Sequence, residues 1–190
     1  MKKIVKLDLK ENKDSFIYEA FEVVERQMIK SGIDYNYSGT CACLVFIKDD
    51  ICTIANLGDS RAVLCRTNKD INAIELSWDH KPTRKDEKSR ILLNGGKVEK
   101  LNYNGDWIGP YRVWIDEEGP GYGMTRTLGD IYSKKIGLIS KPEIEHIKLK
   151  KSDQFIILAS DGLWEVMSSA EAVGFVLHNK EHWENENKVS

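Results

Sequence analysis

Between Asp14 and Lys30 the apolar residues Ile17, Ala20, Phe21, Val24 and Met28 recur at steps of three and four, which gathers them on one side of an α-helix. Asp14 or Ser15 can cap its first free amides and Gly32 can close it. The period then changes. CACLVFI (41–47), ICTIANL (51–57) and RAVLCR (61–66) are short apolar runs parted by Lys48-Asp49-Asp50 and Gly58-Asp59-Ser60, and they read as strands. Breaks this short are expected to join antiparallel neighbours, so the three segments are predicted to form a meander. The first run is apolar on both alternating faces, with Cys41, Cys43, Val45 and Ile47 on one and Ala42, Leu44 and Phe46 on the other. Such a sheet needs two covers, helices on one side and a second sheet on the other.

EIEHIKL and QFIILAS, separated by Lys150 to Asp153, are predicted to form a second hairpin. Thr83 with Asp86 suggests a capping box for a helix ending at Gly95-Gly96, and Ser168 with Glu171 another for a helix through Val176. The 101–124 segment, rich in glycine, aromatics and charge, reads as a long surface loop around a short strand. Its Trp107, Tyr111 and Trp114 either anchor a partner or pack the loop onto its own domain. The C-terminal HNKEHWENENKVS is polar enough to fray.

A length of 190 residues suits one domain with one substantial core. Lysine plus arginine against aspartate plus glutamate stand at 28 to 30, a formal charge of -2, so no broad basic surface suggests nucleic acid or an anionic membrane as partner. No apolar run approaches the roughly 20 residues that span a bilayer, and MKKIVKLDLK interrupts its apolar residues with lysine and aspartate before a signal-peptide core forms. A cytoplasmic location is expected, with the nucleus left open. Cys41, Cys43, Cys52 and Cys65 lie in strand-like runs without zinc-site spacing and read as small buried hydrophobes. Oligomeric state is unreadable.

Three carboxylates sit beside glycines where strands stop: Asp59 in NLGDSRAVL, Asp130 in TRTLGDIYS and Asp161 in ILASDGLWEV. Taken singly, each is accounted for by turn chemistry. Taken together, carboxylates on rigid strand ends are what a hard cation such as Mg2+ or Mn2+ prefers, although the pattern alone does not bring them together. Gly162 would let the backbone turn sharply beside such a cation.

The succession SGT (38–40), ANLGDSRAVL (55–64), LSWDHKP (76–82), RILLNGGKV (90–98), GMTRTLGD (123–130) and SDGLWEVMSSAEAV (160–173) closely resembles the metal-dependent, type 2C serine/threonine protein phosphatases. The resemblance implies an α+β fold: a sandwich of two antiparallel β-sheets flanked by helices, four layers in the order αββα, incomplete in this chain. It also implies a binuclear magnesium or manganese centre at one edge of the sandwich and a phosphorylated protein as substrate. By motif, Asp161 corresponds to a ligand of a catalytic metal and Asp59 to a ligand of a third, weaker metal site. Asp130 is expected to serve a turn or hydrogen bond, Arg61 and Arg126 to pair with neighbouring aspartates, and His80 to fix a loop rather than act as general acid.

Family members begin with a phosphate-binding arginine, an acidic pair and an Asp-Gly-His-Gly-Gly signature, and they close with an Asp-Asn motif. None of these occurs here, Asp161-Gly162 being the only Asp-Gly pair in the chain. The expectation is a phosphatase in the complete protein. This chain alone is expected to be inactive, with Mg2+ or Mn2+ weakly held or absent and no catalytic residue assigned beyond the ligands. The alternative is a catalytically inactive regulatory or phosphoprotein-binding module on the same scaffold.

Overall fold

The computed structural model describes residues 14–115 and 119–186. Helix α1 (Ser15–Lys30) follows the apolar spacing and buries Ile17 and Phe21. After the short strand β1 (Gly39–Thr40) come β2 (Ala42–Lys48), β3 (Ile51–Leu57), β4 (Arg61–Thr67) and β5 (Ile71–Glu75). Next are α2 (Lys85–Leu93), β6 (Lys97–Tyr103), β7 (Asp106–Trp114), β8 (Leu128–Gly129) and a 3-10 turn at Ile131–Ile136. Strands β9 (Glu143–Lys148) and β10 (Asp153–Ala159), the single turn α3 (Asp161–Trp164) and helix α4 (Ser169–Glu186) complete the order.

Two three-stranded antiparallel sheets, ordered β2-β3-β9 and β10-β4-β5, make the sandwich. Cys52 and Ile54 of the first sheet meet Ala62 and Leu64 of the second between the layers. On the outer side of the first sheet, Ala55 and Leu57 pack against Ile17 and Phe21 of α1. On the outer side of the second, Val63 and Cys65 pack against Val173 of α4. The four layers αββα thus follow from strands that are apolar on both faces, since each face then removes apolar area from water.

Two connections differ from expectation. β2 and β3 form a hairpin, but β4 pairs with β5 and β10, so the meander is broken at Gly58-Asp59-Ser60. Likewise β9 pairs with β3 and β10 with β4, so EIEHIKL and QFIILAS are not a hairpin. The rule that short breaks join neighbours overlooks that packed sheets lie only about 10 Å apart, a gap three residues can cross.

The 101–124 segment also differs: much of it is strand, because β6 and β7 form a hairpin turning at Asn104-Gly105, both at positive φ. Residues 116–118 of that segment lie outside the described residues. Ser168 and Glu171 form the expected reciprocal cap, the Ser168 amide donating to Glu171 Oε2 at 2.8 Å and the Glu171 amide to Ser168 Oγ at 3.2 Å. The Thr83 box does not form; α2 starts at Lys85, and Asp86 instead takes the Arg84 guanidinium. Helix α4 runs well past Val176, to Glu186, and the fraying expected at the C-terminus concerns in part residues 187–190, outside those described.

β2 and β10 each end their sheet, leaving Leu44, Phe46, Ile47 and Leu158 exposed. Elsewhere, the fully buried Glu87 of α2 accepts from Arg90 at 2.6 Å, Arg126 at 2.7 Å and the Thr125 hydroxyl. Glu143 of β9 joins it by accepting from Arg84 and from Arg126 at 3.1 Å. Burial alone would push both carboxyls up. For Glu87 the bonds from Arg90, Arg126 and Thr125 outweigh burial, and for Glu143 those from His80 and Arg84 do, so both are held well below the ordinary glutamate range.

A lowered folded-state pKa means stability that is complete above the unfolded value and lost as pH falls below it. The thermal midpoint is therefore expected to be flat from neutral pH to about 5 and to drop below about 4.3. Glu87→Gln strands the buried Arg126 and the half-buried Arg90 and should cost about 3–5 kcal/mol in urea unfolding. A cost under about 1 kcal/mol would show the network to be energetically neutral.

Candidate functional site

The β4–β10 register pairs Ala159 with Arg61. Asp161 lies two residues beyond one of these positions and Asp59 two residues before the other, so antiparallel pairing delivers both carboxylates to one edge of the sandwich. There they line one cavity of about 780 Å³, with Cys41, Lys81, Arg112 and Ser160 also on its wall.

The two carboxylates differ in environment. Asp59 is buried, Lys81 Nζ lies 2.5 Å from its Oδ2, and the Cys41 thiol donates to its Oδ1 at 3.3 Å. Burial first, and then the negative charges of Asp59 and Asp161, push the Cys41 thiol up to about 12, so it stays protonated as a donor. Asp161 is exposed, and no hydrogen bond or ion pair to its carboxylate is found among the described residues. Its backbone is held instead: its carbonyl accepts the Glu165 amide at 2.8 Å, and Trp164 Nε1 donates back to the Ala159 carbonyl at 2.8 Å. A fixed backbone carrying an untied carboxylate is preorganised to take a cation. The chain passes from β10 into the helical turn α3 through the extended Ser160, and Gly162 lies within that turn with room beside it and no positive φ that would require glycine.

The corner that carries Asp59 is built by Gly58 and His80. Gly58 has φ +100°, and a Cβ there would sit 2.2 Å from Cys41 Sγ, so only glycine fits. Its amide donates to His80 Nδ1 at 3.0 Å, and the His80 amide donates to the Gly58 carbonyl at 3.0 Å. His80 is fully buried, with Nε2 3.2 Å from Glu143, which makes it the loop-fixing side chain expected from the motif.

Arg61 is engaged in a two-point bond to Asp79 at 2.9 and 2.8 Å, and also reaches Glu75 at 3.1 Å. Arg126 reaches Glu87 and Glu143, partners distant in sequence rather than neighbouring aspartates. Asp130 takes a left-handed backbone and accepts the Thr127 hydroxyl at 3.1 Å, while burial pushes its carboxyl up, as suits a turn residue. Its Oδ2 lies 2.0 Å from where a Gly39 Cβ would be, so it packs against β1 behind Gly39, and it does not line the cavity.

Asp86, Glu87 and Glu143 bring carboxylate oxygens within 4.8 Å of one another, the spacing of a cation site. Arg84, Arg90 and Arg126 already fill it with guanidinium charge. Sequence reading passed over Lys81 and Arg112 and took Cys41 for a small buried hydrophobe, whereas Cys41 and Cys43 are half-buried and only Cys52 and Cys65 buried; Lys81, next to His80 in DHKP, carried the clearest available signal.

Residues 2–190 match the model of the protein phosphatase 2C family, and the chain belongs to that family. It is 40% identical over 168 residues to "Probable protein phosphatase 2C 73" of Oryza sativa subsp. japonica, covering 86% of this chain and 39% of that protein. It is 39% identical over 178 residues to "Probable protein phosphatase 2C 73" of Arabidopsis thaliana, covering 92% and 46%. The crystal structure of serine-threonine phosphatase 2C from Toxoplasma gondii superposes with a TM-score of 0.77 at 27% identity, over 89% of this chain and 56% of that one. A C. elegans sex determining protein, at 22% identity, shares the fold with a TM-score of 0.72. The chain thus spans less than half the length of these curated relatives. The family is metal-dependent and acts on phosphoproteins. No helix among the described residues is long and apolar enough to cross a membrane.

Gly58→Ala combines a forbidden φ with a clash into Cys41 and should destabilise the chain by more than about 2 kcal/mol. Urea denaturation tests this, and a loss under about 0.5 kcal/mol would mean that the corner is not constrained as described.

Proposed function

We propose that the complete protein is a metal-dependent protein serine/threonine phosphatase, and that this chain is part of its catalytic domain. Asp161 and Asp59 are assigned as metal ligands. The untied Asp161 carboxylate, delivered beside Asp59 by the β4–β10 ladder, carries this reading. A structural aspartate at a helix start would be expected to bond a nearby amide or cation, and the Asp161 carboxylate bonds neither among the described residues.

Carboxylate oxygens suit Mg2+ or Mn2+, which supply an acidified water and polarised phosphoryl oxygens when bound. The donors present fit in type but are few. Asp161 would hold a cation largely through water, and Asp59 must share its charge with Lys81, so affinity should be weak. The chain's own contribution is to fix Asp161 on a rigid strand end, and to hold Asp59 in place with Lys81 and Cys41.

Calorimetric titration with Mn2+ should show weak binding to the chain that Asp161→Asn removes, since the amide keeps the shape and loses the charge. Equal binding by both proteins would sink the ligand assignment. Hydrolysis of a phosphoserine peptide by the chain alone should be negligible in Mn2+. Robust turnover abolished by Asp161→Asn would show that two carboxylates suffice.

A further inference from the structure

The arginines of the described residues are, with one exception, bound to carboxylates. Arg26 meets Glu22, Arg61 meets Asp79, Arg66 meets Asp153, Arg84 meets Glu143, and Arg90 and Arg126 meet Glu87. Arg112 of β7 is the exception. Its one hydrogen bond among the described residues runs from Nη1 to the Gly121 carbonyl at 2.9 Å. Glu99, its cross-strand partner in the ladder, makes no ion pair with it and lines a different cavity beside Trp107 and Trp114. The side chain is half-buried and lines the same cavity as Asp59 and Asp161.

A half-buried guanidinium that meets no carboxylate among the described residues is costly to keep, and it is matched in shape and charge to a phosphoryl group, which it can grip at two points. Lys81, the other cation on that wall, is already bound to Asp59. The local backbone keeps Arg112 available. A Cβ on Gly121 would press into the Trp114 ring at 2.6 Å, so glycine is required where the carbonyl meets Nη1. At Gly123, the nearest atom to a built Cβ is Arg112 Nη1 at 4.0 Å, so that flank of the guanidinium carries no side chain.

We propose that Arg112 binds the phosphoryl group of a phosphoserine or phosphothreonine substrate, presented to the site by the β6–β7 hairpin. The assignment rests on the phosphatase reading above and adds to it a substrate contact from outside the two sheets.

The test is titration of the chain with a phosphoserine peptide, its unphosphorylated twin and inorganic phosphate, each in Mn2+ and in EDTA. Wild type should bind the two phosphorylated ligands and ignore the twin. Arg112→Gln should weaken both by about tenfold or more. Arg112→Lys should recover only part, because an ammonium lacks the two-point grip. Unchanged affinity in Arg112→Gln, or no phosphate-dependent binding by wild type, overturns the proposal. Binding of free phosphate without the phosphopeptide overturns the substrate assignment.

If Arg112→Gln also lowers the urea midpoint, Arg112→Lys decides. A midpoint recovered while binding stays several-fold weak supports the phosphoryl contact, and binding that tracks the midpoint overturns it. Arg112-dependent phosphate binding without any Mn2+ effect would sink the metal reading and leave Arg112 in place. Asp161-dependent Mn2+ binding with Arg112-independent phosphate binding would do the reverse.

Discussion

The antiparallel ladder between β4 and β10 is the constraint on which the site depends. It joins the middle of the chain to a segment roughly ninety residues later, and its register alone decides whether Asp59 and Asp161 share an edge. A slip of one residue would turn Val63 and Leu64 to the wrong layers and move Asp161 relative to Asp59. The far end of the ladder is pinned where Arg66 grips Asp153 at 2.5 and 3.1 Å, and Asp153 also accepts the Lys150 amide at 2.8 Å. The near end is closed by Trp164, whose indole bonds Ala159 and lies 5.3 Å from the Arg61 guanidinium. Register is thus fixed by apolar faces along the ladder and by arginine contacts at both of its ends.

Charge inside the molecule is arranged by the same economy. Glu87 and Glu143 tie α2 to β9 and to the 125–126 segment through three guanidinium groups, and His80 connects that cluster to the Gly58 corner. Removing one member of such a network leaves its partners charged and poorly solvated, which is why it specifies geometry better than it adds net stability. The acidic cluster that looks most like a cation site by distance is therefore a structural joint. At the cavity the charge is less fully matched: Asp59 is paired with Lys81, while the Asp161 carboxylate has no partner among the described residues.

Much of this architecture was legible in the sequence. Two-sided apolar strands implied layers, the three-four spacing gave α1, and the Ser168 and Glu171 cap appears as read. The sheet connections were not legible. Lys48-Asp49-Asp50 closes a hairpin while Gly58-Asp59-Ser60 crosses between sheets, and nothing in the local composition separates the two; the difference lies in Gly58 at φ +100° locked to His80, a contact of long sequence range. The β6–β7 hairpin was hidden for another reason. Its outward positions Tyr103, Trp107, Ile108 and Tyr111 are exposed apolar residues, so it lacks the apolar-polar alternation that marks a half-buried strand.

The same missing alternation bears on the hairpin's role. A two-stranded ribbon is marginal by itself, and this one is held by its base, where Val98 and Val113 pack with Ile91, Tyr122 and Leu138. Beyond that base the strands project with their aromatic residues exposed, so those side chains contribute little to folding. Arg112 sits at the junction, one residue from the buried Val113 and facing the cavity. The base fixes the guanidinium while the outer half of the ribbon stays accessible to a partner. The cavity then holds Asp59 paired with Lys81, the untied Asp161 and, on its flank, Arg112. On the phosphatase reading proposed above, a phosphoryl dianion beside Asp161 would call for a cation to offset that carboxylate and for a fixed donor to orient the phosphoryl oxygens, the part assigned to Arg112.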